Sequence, residues 1–148
     1  MKKNKIPKLD LTISERTELR RNKIRISEIQ NLTCNEMCTI LKVSVFRAKE
    51  IKALSEFQSL PSIGPKLAQD LLMLGYYTLE ELRDKNGATL FEDLEGLYGE
   101  RIDPCVEDQF RLMIHYANNS NSEKQWWDFT EERKQFRAKH GYPKDRPE

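Results

Sequence analysis

SLPSIGPKLA, residues 59–68, is the stretch whose reading decides the fold. Leu60 and Pro61 are followed by Ser62, Ile63, Gly64 and a second proline, directly ahead of a run of helix formers. Gly64 offers a turn without a Cβ. Pro65 suits the first helical position, where a missing N–H costs nothing. Leu67, Leu71 and Leu74 then recur at helical spacing, and Gly75 is placed to end the helix in the left-handed region. The stretch reads as a tight turn between two helices.

Working outward, nearly every signal is helical. Thr33-Cys34-Asn35-Glu36 has the form of a capping box, with Met37, Ile40 and Leu41 following at helical spacing. Lys42-Val43 interrupts that helix, and Ser44 can cap the next, whose inner face carries Ala48, Ile51 and either Leu54 or Ser55. Thr78 to Glu81 predicts a second capping box and a short helix that stops near Asn86-Gly87. A further helix is expected through Leu90, Phe91, Leu94 and Leu97. Asp103-Pro104 starts a longer one with Val106, Phe110, Met113, Ile114 and Ala117 turned inward. NNSNS, residues 118–122, is a polar break, and a last helix is expected to end at Gly141. No stretch combines strict alternation with β-branched residues, and no repeat of fixed period stands out. The expectation is one all-α, multi-helix globular domain. It comprises a flexible basic arm over residues 1–13, N-terminal helices over 14–56, a core over 57–118, and a C-terminal helix with a loose tail over 119–148. Trp126, Trp127 and Phe129 are expected to dock that last helix; stacking on exposed bases, with Arg133, Lys134, Arg137 and Lys139 on the backbone, is the alternative.

Composition narrows the class. The 148 residues are 33% charged and 38% hydrophobic, with no apolar run near the length of a membrane span. The basic start lacks the apolar segment of a secretory signal. Cys34, Cys38 and Cys105 are odd in number and lack a C-x-x-C pair, which suits reduced thiols in a cytoplasm. The formal charge of +1 hides a division: residues 1–60 hold 13 Lys/Arg against 7 Asp/Glu, and residues 61–122 hold 5 against 11. Phosphate neutralisation dominates nucleic-acid affinity, so such a surface would draw on the first segment.

Residues 57–83 resemble a helix-hairpin-helix unit, in which a hydrophobic-x-Gly-hydrophobic-Gly turn joins two short helices. Leu60 and Ile63 stand at the hydrophobic positions, Gly64 at the second glycine, and Ala68 at the small residue where the helices approach. Ser62 replaces the first glycine, and Pro65 removes one amide. The resemblance implies phosphate contact through backbone N–H groups, with Ile63, Gly64 and Lys66 as candidate donors and the Lys66 side chain adding charge. A hairpin kept only for packing is the alternative. More broadly, residues 57–142, with LPSIGPKLAQDLLMLGY, RIDPCVEDQFRLMIHY and WWDFTEERK, resemble the small bacterial pathogenicity-locus family of helix-hairpin-helix proteins. That resemblance implies a small, cytoplasmic, non-catalytic helical domain. Residues 14–56 offer either a second hairpin or a helix-turn-helix, whose second helix would present Arg47, Lys49 and Lys52 to nucleic acid; solvated charges on an amphipathic helix are the plainer account.

Other constellations are weaker. Cys105 sits near the start of a helix, where the dipole lowers a thiol pKa. Glu107 and Asp108 oppose this, and His115 lies ten residues on, about 15 Å along the same helix. Cys34 and Cys38 share a helical face without the paired spacing of a zinc site, and no calcium or nucleotide-phosphate loop occurs. No metal, cofactor, catalytic residue or small-molecule substrate is therefore expected. The sequence points to a non-enzymatic module that binds the DNA backbone without reading sequence, through Ile63, Gly64, Lys66, Arg47, Lys49 and Lys52. A protein-interaction adaptor with a purely structural hairpin is the alternative.

Overall fold

In the computed structural model residues 5–148 are described, and every regular element among them is helical. The first four residues of the expected basic arm lie outside the described residues. The chain divides after Thr78 into two compact units, so the core expected over residues 57–118 falls partly in each.

The first unit opens with an extended segment that leads into helix α1 (Ile13–Arg21). A capping box starts α1: Thr12 Oγ1 accepts from Glu15 N–H at 3.0 Å, and Glu15 Oε1 accepts from Thr12 N–H at 2.8 Å. Both donors would otherwise go unpaired at a helix start. The expected flexible arm overlaps this region, but Leu9 and Leu11 are buried in the core and Lys8 N–H donates to the Gln58 side chain at 2.9 Å. A 3₁₀ turn (Ile26–Asn31) precedes α2 (Cys34–Leu41), whose Thr33–Glu36 capping box forms as the sequence predicts. Helix α3 (Val45–Gln58) is capped by Ser44, and α4 (Pro65–Met73) begins with proline at its first position. Leu19, Ile29, Met37, Leu41, Ala48 and Ile51 complete the buried cluster with Leu9 and Leu11. Burying each large aliphatic side chain there contributes about 1.5–3 kcal/mol. Gly75 takes φ +94, and Gly75 N–H and Tyr76 N–H return to the carbonyls of Leu72 and Leu71, closing α4 as expected for a left-handed residue.

The turns before α3 and α4 are built alike. Lys42 and Ser62 both adopt left-handed backbone, φ +57 and +65. Two residues on, Ser44 and Gly64 are the extended N-caps of the following helices. Then come Ala48 and Ala68, both fully buried, and Ile51 and Leu71, buried to within 1%. Each pair is twenty residues apart. No period is visible in the sequence because few of the paired residues are identical; what recurs is backbone conformation and the small residue where neighbouring helices meet.

The second unit contains a 3₁₀ turn (Glu80–Leu82), α5 (Gly87–Tyr98), α6 (Cys105–Asn118), a second 3₁₀ turn (Trp126–Phe129) and α7 (Thr130–His140). Two local expectations differ. The helix predicted from Thr78 is a single 3₁₀ turn, and Leu79 stands at its N-cap position. Asn86-Gly87, read as a stop, is a start: Asn86 Oδ1 accepts from Ala88 N–H and Thr89 N–H at 2.9 and 3.3 Å. An asparagine side chain serves either end of a helix, and here the orphan amides of α5 claim it. Gly87 is required by packing, since a Cβ there would lie 2.6 Å from the Arg111 side chain.

Helix α7 is held largely by charge. Thr130 Oγ1 and Arg133 Nε donate to the two oxygens of fully buried Asp108 at 2.8 and 2.7 Å. Arg137 reaches fully buried Glu107 at 2.8 Å and Glu92 at 2.7 Å, and stacks 4.1 Å from the Tyr142 ring centroid. Of the aromatics expected to dock this helix, Phe129 is buried with its ring 5.6 Å from that of His115, while Trp127 is 57% exposed.

Candidate functional site

The turn between α3 and α4 gathers three of the residues singled out from sequence. Ile63 is fully buried, and its N–H points back to the Leu60 carbonyl at 3.4 Å. Its part is to shape the turn, and its amide is already directed inward. Gly64 is the N-cap of α4, with φ −96 and ψ −176, ordinary extended backbone open to any residue. A Cβ built on Gly64 meets nothing within 4 Å. Neither backbone strain nor packing of the described residues therefore requires glycine here. What the glycine leaves is an open approach to the start of α4. Its N-cap residue has no side chain to serve as a cap, in contrast with α1, α2, α3 and α5, which carry Thr12, Thr33, Ser44 and Asn86. Lys66 is exposed at the second position of the helix.

Lys5 joins this turn from far away in sequence. Its ammonium donates to the Leu60 and Ile63 carbonyls, both at 2.9 Å. Burial lowers its pKa, because a charge loses solvation there. A cation is thus built into the turn that precedes a helix start with glycine at its N-cap. Sequence reading missed it because nothing local ties residue 5 to residues 60–63.

The basic residues of α3 divide three ways. Arg47 is engaged: its Nε and Nη2 donate to the Glu15 carboxylate at 2.8 and 2.9 Å, and Nη2 also reaches the Asp10 carbonyl at 2.8 Å. Lys52 is turned inward, donating to the carbonyls of Gln30 and Leu32 at 3.2 and 2.5 Å. Lys49 is exposed and makes no ion pair or side-chain hydrogen bond among the described residues. Of these candidate ligands of nucleic acid, Arg47 ties α3 to α1 and Lys52 ties α3 to the 3₁₀ turn and the residue after it.

The residues that suggested chemistry are arranged for structure. Burial raises the Cys105 pKa, and the Asp103 side chain adds to it. His115 Nε2 lies 2.7 Å from Ser122 Oγ, a separation that suits a nucleophile and its base. Yet Asn119 Nδ2 faces His115 Nδ1 at 3.4 Å while donating to the His115 carbonyl at 3.1 Å. That contact matches the tautomer with its proton on Nε2, in which the ring donates to Ser122. Lys124 N–H also donates to Ser122 Oγ at 3.1 Å. The pair stitches the polar loop to α6. No group of three or more metal-ligating side chains occurs among the described residues.

Comparison with known proteins adds a family. The profile of the Pathogenicity locus family matches residues 50–135, from within α3 to within α7. The chain belongs to this family. A Pathogenicity locus assignment agrees with the resemblance carried by the Gly64 turn, the Asp103-Pro104-Cys105 helix start and the paired tryptophans. Mitomycin resistance protein McrB of Streptomyces lavendulae is 28% identical over 88 residues, which is 60% of this chain and 83% of that protein. No solved structure matches the chain. No helix among the described residues is long and apolar enough to cross a membrane.

Proposed function

We propose that this chain is a non-catalytic helix-hairpin-helix module of the bacterial cytoplasm that grips the phosphate backbone of DNA without reading its sequence. The observation that carries the reading is the Gly64 turn. The N-cap of α4 is a glycine with no side chain of its own, which leaves the approach open, and the Lys5 ammonium sits on the turn. Amides at a helix start and the positive end of its dipole suit a phosphate oxygen, and such contacts hold a backbone while carrying no base information. Gly64 and Lys66 supply the contact, Ile63 its shape, and Lys5 and Lys49 positive charge. Arg47 and Lys52 serve the scaffold. The relative's mitomycin resistance is a property of that protein; whether expression of this chain changes a host's sensitivity to mitomycin is a direct cellular check.

A protein-interaction adaptor is the competing reading, favoured by exposed Trp127 and Leu97 in the second unit, 57% and 51% accessible. Fluorescence anisotropy with labelled single- and double-stranded oligonucleotides over a salt series separates the two. The DNA reading expects affinity that falls steeply with salt. Gly64→Val should lose at least tenfold in affinity with an unchanged far-UV spectrum, since extended backbone accepts valine and the losing cap costs about 1 kcal/mol. Lys66→Met should lower the salt slope by about one. Absence of binding at low salt, or wild-type affinity in Gly64→Val, refutes the proposal.

A further inference from the structure

The first of the two matched turns, at residues 42–44, differs from the second at its tip. Ser44 Oγ accepts from Arg47 N–H at 3.1 Å, so a side chain already occupies the α3 start. That turn lacks the open helix start offered at Gly64. In place of Pro65 and Lys66 it carries Val45 and Phe46, which are 53% and 82% exposed. Phe46 thus stands where the other turn has its exposed lysine. Cations flank it. Lys49 lies one helical turn further along the same face of α3. Lys42 sits in the turn itself with an exposed side chain, and its ion pair to Glu18 is long, 3.8 Å.

We propose that the α2–α3 turn is a second nucleic-acid contact, in which the Phe46 ring stacks on an accessible base. The preferred ligand is then a single strand, or a duplex with an unpaired base, and not an intact duplex. This rests on the reading of the Gly64 turn as a phosphate contact. An exposed aromatic ring with lysines close to it along the chain is the kind of surface that holds single strands, the ring taking the base and the cations the backbone. The excess of positive charge over residues 1–60 gives a nucleic acid the complementary sign. The two tips lie at opposite ends of α3, whose 14 residues span about 21 Å. At about 3.4 Å per stacked nucleotide that is about six nucleotides. A stacked trinucleotide, about 10 Å long, falls short of spanning both tips.

The test compares a 12-nucleotide single strand, a trinucleotide and a 12-base-pair duplex as probes of the full chain. Phe46→Ala should weaken binding of the long single strand about tenfold. Its affinity for the intact duplex should stay within twofold of wild type. Because the side chain is exposed, its thermal melt should match wild type. In Phe46→Trp the indole emission should be quenched on adding the long strand. Equal weakening toward all three probes overturns the inference, as does unchanged affinity for the long strand; in the latter case the phosphate reading stands. If wild type binds none of the probes, both proposals fall. A shift in oligomeric state on Phe46→Ala without a change in DNA affinity assigns the tip to a protein contact and overturns the stacking role.

Discussion

Replacing Glu15 by glutamine tests whether Arg47 is a tether between helices or a reserve of charge for a ligand. The Glu15 side chain is 4% exposed and Arg47 28%, with a bidentate pair between them at 2.8 and 2.9 Å. Glutamine keeps an oxygen to accept from Thr12 N–H, so the capping box survives and the change isolates the charge. Hydrogen bonds to charged groups contribute about 1.5–3 kcal/mol. Partial exposure of the guanidinium places this pair in the lower part of that range, so Glu15→Gln should cost about 1.5–2 kcal/mol. In a unit of this size that lowers the melting temperature by about 10 °C. The assay is thermal and urea unfolding of the full chain by circular dichroism, at neutral pH and in acid. The Glu15 pKa is lowered, mainly by its hydrogen bonds from Arg47. Its stabilisation is therefore complete above the unfolded glutamate pKa, about 4.3, and is lost as pH falls through the lower folded value. Wild type and Glu15→Gln should converge in acid. Equal stability at pH 7, or a gap undiminished in acid, refutes the tether. On the proposed DNA reading, affinity should not fall in Glu15→Gln, because Arg47 is released and not removed.

Two further outcomes follow from the second unit. Arg137→Met leaves fully buried Glu107 without one of its two arginines and should destabilise the chain by about 3 kcal/mol in urea titrations. Adding Glu107→Gln should recover part of that loss, and purely additive effects would show that the two groups are not energetically coupled. The Cys105 thiol, with its pKa raised by burial and by Asp103, should alkylate at pH 7 more slowly than free cysteine. A rate at or above that of free cysteine would contradict the geometry around it.

The helical class was legible because the signals that carry it are local. Thr33 with Glu36, Ser44, Pro65 and Gly75 each do in the structure what their residue types dictate. One local signal was overlooked: Thr12-Ile13-Ser14-Glu15 has the same capping-box form as Thr33–Glu36, and it starts α1. Asn86 misleads because a polar break and a helix cap use the same residue. Other features could not be read, because they join residues distant along the chain. Lys5 meets residues 60 and 63, Arg47 meets Glu15, and Arg137 meets Glu107 and Glu92. Each lysine or arginine looks alike in a sequence, and only the carboxylate or carbonyl opposite it decides whether its charge is spent inside or offered outside. That is why the internal bonds of Arg47, Lys52 and Lys5 are all invisible in the sequence.

Helix α3 belongs to both matched turns, ending one and beginning the other. It therefore acts as a ruler with a phase. One added residue would lengthen it by only about 1.5 Å but swing one tip about 100° around the axis relative to the other. Two added residues would turn it about 200°, and only near seven would the tips face their original directions again, then about 10 Å further apart. Substitutions on the exposed side of α3 leave both tips in place, whereas insertions and deletions within it cannot. The length of this one helix, more than the identity of its outward residues, sets how the two ends of the unit meet anything they share.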